Sequence, residues 1–281
     1  MDVLDQWLVV QGLRIHYLSA RETGSPVLLL HGGGTDSARL SWGQVIGPLA
    51  AGHHVYAPDL PGYGDSDRPD IRYSTEFYVS FVGNLMEALG LSRASLMGLS
   101  MGGAIALGTT LRWPERVDKL ALVDSYGLQR TVAMHKLSYL MVHTPGIMEA
   151  TWALMRSNRA MGRAGLRNVL HDASAAPESL VNEVYAEASK PHAGRAFTTY
   201  QRDEMLWNGL RTVYLDRLHE THVPTLLVHG REDRGVPLAC AEEAHSLIAG
   251  SRLHVIDGAG HWSQRENPKE FNRVVTEFLK D

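Results

Sequence analysis

One cysteine, Cys240, stands in 281 residues, so the chain can form neither an internal disulfide nor a set of thiolate zinc ligands. A chain that needs no disulfide suits a reducing cytosol, and Cys240 reads as a packed helix residue. No run of about 18 apolar residues occurs, so no transmembrane helix is expected. The start, Met1-Asp2-Val3-Leu4-Asp5-Gln6, lacks the basic first segment and apolar core of a secretion signal, and a cytoplasmic location is the expectation. An excess of one charge is missing as well. The 27 Lys and Arg face 31 Asp and Glu, for a net charge of −4, which leaves no basic field for nucleic acid or an anionic membrane. Gly32-Gly33-Gly34 lacks the spacing of a dinucleotide fingerprint, and no Walker motif occurs. His219-Glu220-Thr221-His222 is one residue short of the H-E-x-x-H zinc spacing. No metal or cofactor is therefore expected. The expected partner is a small molecule, met by a monomer or a homodimer.

What is present is ordinary globular material, 44% apolar and 21% charged, long enough for one large domain or a domain carrying an insertion. Trp7 to Gln11 and Arg14 to Ser19, on either side of Gly12, read as an opening hairpin. Continuous apolar runs at Val27 to Leu30, His54 to Ala57, Ala94 to Met97, Lys119 to Val123, Thr225 to Val228 and Leu253 to Ile256 suit strands buried on both faces. Helical patterns lie between them at Phe77 to Leu89, Ala104 to Leu111 and Leu238 to Ile248, and a last one closes the chain from Asn267. This alternation predicts an α/β class with a mostly parallel sheet. It breaks over residues 126–218, which carry helical stretches separated by Pro145-Gly146, Pro177 and Pro191. That span is too long for a plain loop. It predicts a helical lid inserted into a core formed by residues 1–125 and 219–281. Met134, Met141, Met148 and Met155, with Trp152 and Trp207, give the lid soft apolar side chains for helix core or for an adaptable pocket.

Gly98-Leu99-Ser100-Met101-Gly102 matches G-x-S-x-G between a predicted strand and a predicted helix, the setting of a nucleophile elbow. Ser100 is the candidate nucleophile. A serine hydroxyl needs a base, and the base needs an orienting acid. Among 14 histidines, His261 follows the last predicted strand directly, on Gly258-Ala259-Gly260. Asp233 follows the strand before it, with Asp124 and Glu232 in reserve. The order Ser, Asp, His is that of an α/β hydrolase. An oxyanion would be held by the N–H of Met101 and by an N–H of the His31-Gly32-Gly33-Gly34 loop, Gly33 before Gly34.

With these stretches and Asp59-Leu60-Pro61-Gly62-Tyr63-Gly64-Asp65-Ser66, the chain resembles the α/β-hydrolase superfamily over nearly its whole length. The resemblance implies an eight-stranded, mostly parallel sheet flanked by helices. Serine at position 100 separates the chain from the branches with aspartate there, the haloalkane dehalogenases and epoxide hydrolases. Gly230 to Pro237, Leu253-His254-Val255 and Gly260-His261-Trp262-Ser263-Gln264 resemble the meta-cleavage-product hydrolases, which split carbon–carbon bonds in aromatic ring-fission products. That family has asparagine before the nucleophile, where this chain has Leu99. It has another asparagine after the oxyanion loop, where this chain reads Leu40-Ser41-Trp42-Gly43. It also has a lid arginine for the dienoate carboxylate, with no match near Val184; Arg195 lies too far along. Leu99, Trp42, Trp152 and Trp262 are the candidate substrate-binding side chains. These departures favour a serine carboxylesterase acting on small or medium neutral esters. Carbon–carbon bond hydrolysis is the alternative, and a slow-turnover ligand receptor that keeps the triad is a second.

Overall fold

Gln11 and Gly12 hold φ of 52° and 78°. Two successive left-handed residues form the tight turn that matches strand twist. The turn joins β1 (Leu4–Val10) to β2 (Leu13–Ala20), which pair antiparallel with Val10 opposite Leu13. This is the predicted opening hairpin, and it begins the fold seen in the computed structural model, which describes residues 2–280.

The strands that follow are β3 (Ser25–Leu30), β4 (His53–Pro58), β5 (Ala94–Leu99) and β6 (Val117–Val123). Between them lie α1 (Ala38–Trp42), α2 (Ile46–Leu49), α3 (Thr75–Ala88) and α4 (Met101–Arg112). After β6 come α5 (His135–His143), α6 (Ile147–Ser157), α7 (Arg159–Leu166), α8 (Glu178–Ser189) and α9 (Arg195–Glu204). A hairpin of two-residue strands, β7 (Met205–Leu206) and β8 (Gly209–Leu210), ends this helical segment. The chain closes with β9 (Thr225–Gly230), α10 (Leu238–Leu247), β10 (Arg252–Ile256), α11 (Ser263–Glu266) and α12 (Pro268–Lys280). The eight-stranded sheet runs β1-β2-β4-β3-β5-β6-β9-β10. Only β2 pairs antiparallel, with β1 and β4; the remaining pairs are parallel.

Side chains alternate across a strand, so each central strand feeds two cores. Val27 and Leu29 of β3 pack with α1 and α12, while Leu28 and Leu30 pack with α3 and α4. This explains why the central strands read as unbroken apolar runs. The helical segment contributes side chains to both cores. Leu166, Leu180 and Val184 join the first core, and Ala196 and Tyr200 join the second. It is anchored over the carboxyl ends of the strands. The Met repeat divides at Pro145-Gly146: Met134 is 73% and Met141 47% exposed, whereas Met148 is buried. No helix among the described residues is long and apolar enough to cross a membrane.

Candidate active site

Ser100 sits between the end of β5 and the start of α4 with φ 51° and ψ −116°. L-residues avoid this region, so the conformation is strained and must be held from outside. Ser100 N–H donates to the Val123 carbonyl at 2.9 Å, and the Ser100 carbonyl accepts from Gly103 N–H at 2.9 Å and Tyr126 N–H at 3.1 Å. The glycines of the motif make the close approach possible. A Cβ on Gly98 would stand 2.1 Å from the Gly102 carbonyl oxygen, and one on Gly102 2.2 Å from that of Leu30. The turn therefore lifts the Ser100 hydroxyl above the sheet, at the N-terminus of a 12-residue helix. Met101 N–H, first in that helix, has no carbonyl one turn earlier to bond within it.

Two loops at neighbouring strand ends bring the acid and the imidazole together. The His261 Nδ1 lies 2.7 Å from Asp233 Oδ2. The other Asp233 oxygen, Oδ1, accepts from Gly235 N–H at 2.7 Å and Val236 N–H at 3.0 Å. Asp233 is thus both the turn-forming aspartate that its local sequence suggests and the imidazole's partner. Its turn bonds fix which oxygen faces His261. The loop carrying His261 presses on the end of β9, where a Cβ on Gly230 would meet the Gly260 carbonyl oxygen at 2.1 Å. Burial of the His261 ring alone would lower its pKa. The Asp233 hydrogen bond and charge, with Asp124 and Asp36 beyond, outweigh burial and hold it above the ordinary 6.5.

The reserve acids are placed elsewhere. Asp124 Oδ1 accepts from Gly230 N–H at 2.7 Å, and Oδ2 accepts from the Ser263 hydroxyl at 2.6 Å. It ties β6, β9 and the start of α11 together. Burial, with the Asp233 charge adding to it, pushes Asp124 up to about 6. Glu232 makes no hydrogen bond to His261 among the described residues. Asp124, His229 and Asp233 each bring one potential metal-ligand atom within 4.8 Å of the others. Both carboxylates are already taken up by N–H and O–H donors, and His229 Nε2 donates to the Val236 carbonyl at 2.8 Å.

The glycine loop after β3 is braced from below. Asp36 accepts from Gly32 N–H at 2.9 Å, and His31 Nε2 accepts from Leu60 N–H at 3.0 Å. His31 is therefore structural, and its Nδ1, 2.7 Å from the Gly32 carbonyl, carries the proton. Gly33 lies under the Phe197 ring, which a Cβ there would meet at 2.4 Å.

Ser100 and His261 open onto two chambers. The first, about 320 Å³, is lined by Gly33, Gly34, Met148, Trp152, Met155 and Trp262 among others. The second, about 240 Å³, is lined by Met101, Tyr126, Gln129, Glu204, Met205 and Val236 among others. Phe197 and Gln201 border both. The structure thus gathers Ser100, Asp233, His261, Met101, Gly33, Gly34, Trp152 and Trp262 at one place. Trp42 and Leu99, expected from the sequence to bind substrate, line neither chamber. Trp42 on α1 is fully buried near Phe271 of α12, ring centroids 6.5 Å apart. Leu99 is fully buried in the same core as Met97 and Val123. Arg195 donates to the Arg68 carbonyl and lines a different cleft. Neither chamber is lined by lysine or arginine. Phe197, Tyr126, Gln129 and Gln201 were not legible as site residues, because nothing in their local pattern marks them.

A family model described as alpha/beta hydrolase fold matches residues 25–268. The chain belongs to this family. A 2-hydroxy-6-oxo-2,4-heptadienoate hydrolase of Pseudomonas putida is 31% identical over 259 residues, 91% of this chain and 89% of that protein. A 2-hydroxy-6-oxo-6-phenylhexa-2,4-dienoate hydrolase of Comamonas testosteroni is 33% identical over 276 residues, 95% of this chain and 91% of that one. Among solved structures, a meta-cleavage product hydrolase from Pseudomonas fluorescens superposes with a TM-score of 0.82 at 30% identity. That match covers 98% of this chain and 97% of the other. As an α/β hydrolase, the chain carries its serine, imidazole and carboxylate candidates where strand ends meet the helical segment.

Proposed function

We propose that this chain hydrolyses a carbon–carbon bond beside a ketone carbonyl, with Ser100 as nucleophile, His261 as base and then acid, and Asp233 as the orienting carboxylate. The observation that carries the reading is the position of Ser100 and His261 between two chambers, beside a part-buried Asp233–His261 hydrogen bond of 2.7 Å. A carbonyl held there would have room for a sizeable group on each side. Ring-fission ketones have that shape, and the relatives above are named for such substrates. Ser100 Oγ would add to the carbonyl carbon while His261 Nε2 takes its proton. Met101 and Gly33 N–H groups would stabilise the oxyanion, with Gly34 adjoining. Collapse breaks the carbon–carbon bond, and the departing electron pair is delocalised into the conjugated fragment before His261 returns the proton. Water then releases the acyl group from Ser100, leaving a carboxylic acid.

Carboxylic ester hydrolysis is the second reading, and it uses the same groups. Neither chamber has lysine or arginine among its lining residues, which favours a neutral substrate over a dienoate. The test is a panel of p-nitrophenyl esters from acetate to decanoate beside one phenyl and one alkyl dienoate, with Ser100→Ala as control. The carbon–carbon reading expects Ser100-dependent loss of the dienoate's visible absorbance, with kcat/KM at least about tenfold above the best ester. The reverse ratio selects the ester reading. Binding without Ser100-dependent turnover would make the chain a receptor.

A pH profile follows from the same assignment. The base must be neutral, so kcat/KM falls as pH drops through the His261 pKa. Because that pKa is raised, the acid limb is expected above 6.5. A limb below 6.5 would mean that the Asp233 interaction does not outweigh burial in solution.

A further inference from the structure

We infer that Glu266 is a positioning residue for the reaction: its one carboxylate ties the loop that carries His261 to the helical segment and so sets where the imidazole stands. The inference rests on the hydrolase reading above and names what holds its base in place. Glu266 ends α11. Its Oε2 accepts from the N–H of Gly260, the residue before His261, at 2.6 Å. Its Oε1 accepts from His171 N–H at 2.8 Å, in the loop between α7 and α8. On the other side of the imidazole, Trp262 N–H donates to the Val169 carbonyl at 3.2 Å. Both chain neighbours of His261 are thus fixed to residues 169–171. The two segments lie in direct contact. A Cβ on Gly260 would stand 2.7 Å from the His171 nitrogen and 2.9 Å from the Val169 carbonyl oxygen, so only glycine permits the approach.

The same stretch of the helical segment faces the reaction. Leu166, Asn168 and Val169 line the first chamber with His261 and Trp262. Asp233 orients the imidazole through Nδ1, while Glu266 fixes the backbone from which the ring projects. The chemistry of the tie requires a carboxylate. It offers an acceptor oxygen to each segment, and bonds from N–H groups to an ionised acceptor are roughly twice as strong as neutral ones. An amide of the same shape has one oxygen and would turn its NH₂ against the second N–H. Arg265, the preceding residue, makes a different tie: its guanidinium donates to Glu183 of α8 at 3.0 Å. That ion pair joins α11 to the helical segment without passing through the loop of His261.

Kinetics of the full chain separate positioning from general support. Glu266→Gln is expected to lower kcat about tenfold and Glu266→Ala about 10²-fold, because a base misplaced by about 1 Å loses rate. KM should stay within about twofold in both, since Leu166 and Leu170 are held in the first core and keep the chamber wall. Arg265→Met removes an ion pair whose Glu183 side chain is 40% exposed, and kcat should stay within about twofold. An equal loss in Arg265→Met, a loss in Glu266→Gln carried by KM, or no loss there would overturn the positioning role. Hydrogen exchange on Ser100→Ala reads the tie without turnover. Glu266→Gln keeps one acceptor, so segments anchored independently would open in only one of the stretches 166–172 and 258–262. A shared anchor predicts that both exchange at least about tenfold faster. Faster exchange in one stretch alone, or in neither, would overturn the inference. A chain that hydrolyses nothing in the panel would overturn the hydrolase reading, while exchange would still report on the tie.

Discussion

Ser100→Ala is expected to lower kcat by about 10⁴- to 10⁶-fold while leaving the protein folded. The size follows from what the hydroxyl does in the proposed mechanism. Without it no covalent bond to the carbonyl can form, and only binding and the oxyanion donors remain, worth about 10³-fold over water in comparable sites. The retained fold follows from how the turn is held. The hydrogen bonds at Ser100 that fix the strained turn are made by its backbone N–H and carbonyl, which alanine keeps. Alanine meets the positive φ of 51° with the same Cβ that serine has. Stability should therefore change by less than about 0.5 kcal/mol in a denaturant titration. Single-turnover kinetics on the preferred substrate make the check. A variant that keeps a tenth or more of wild-type activity would place the nucleophile elsewhere.

The parts of this molecule legible in its sequence are those dictated by local rules. β9 spans Thr225–Gly230 because an unbroken apolar run has no other stable place than the middle of a parallel sheet. The elbow was legible because glycine at 98 and 102 answers a contact that any Cβ would destroy, and such constraints are written residue by residue. His261 and Asp233 were legible from topology, each following a strand whose carboxyl end must face the same opening. The chamber walls were not. Phe197 covers Gly33 only because α9 reaches over the glycine loop, and Gln129 lines the second chamber only because the chain turns after β6. Those placements depend on how the helical segment packs into both cores, a tertiary outcome without a local pattern. Trp42 shows the same dependence: its place after the glycine loop points to the pocket, but in helix α1 it packs near Phe271. The choice between ester and carbon–carbon substrates was also beyond local rules. Leu99 suggests an apolar pocket, yet it is fully buried in the core, and the relatives favour the carbon–carbon reaction that the sequence places second.

Two buried aspartates close to the imidazole give the second large effect, because asparagine should act oppositely at each. In Asp233→Asn the backbone N–H groups of Gly235 and Val236 claim the amide oxygen, as they claim Oδ1 now. The amide NH₂ is thereby turned toward His261 Nδ1. A donor at that position forces the ring proton onto Nε2, the atom that must accept from Ser100, and removes the charge that stabilises the imidazolium. The expected loss is about 10⁴-fold in kcat, with little change in KM while binding is controlled by the chambers. In Asp124→Asn the amide resembles the protonated acid, which lies within reach because Asp124 is pushed up to about 6. Its oxygen can keep the Gly230 N–H, and its NH₂ can donate to the Ser263 hydroxyl; only the longer contact with Ser263 N–H, at 3.3 Å, is lost. Asp124→Asn should therefore cost about 1–3 kcal/mol of stability and less than about tenfold in kcat. Paired measurements of kcat and denaturation midpoint on the two variants decide the assignment. If both lost activity equally, the acid function would be shared through His229, which lies 3.6 Å from Asp233 Oδ2 and 3.9 Å from Asp124 Oδ1. A loss confined to Asp233→Asn would leave Asp124 as the buried tie between strand ends that its hydrogen bonds describe.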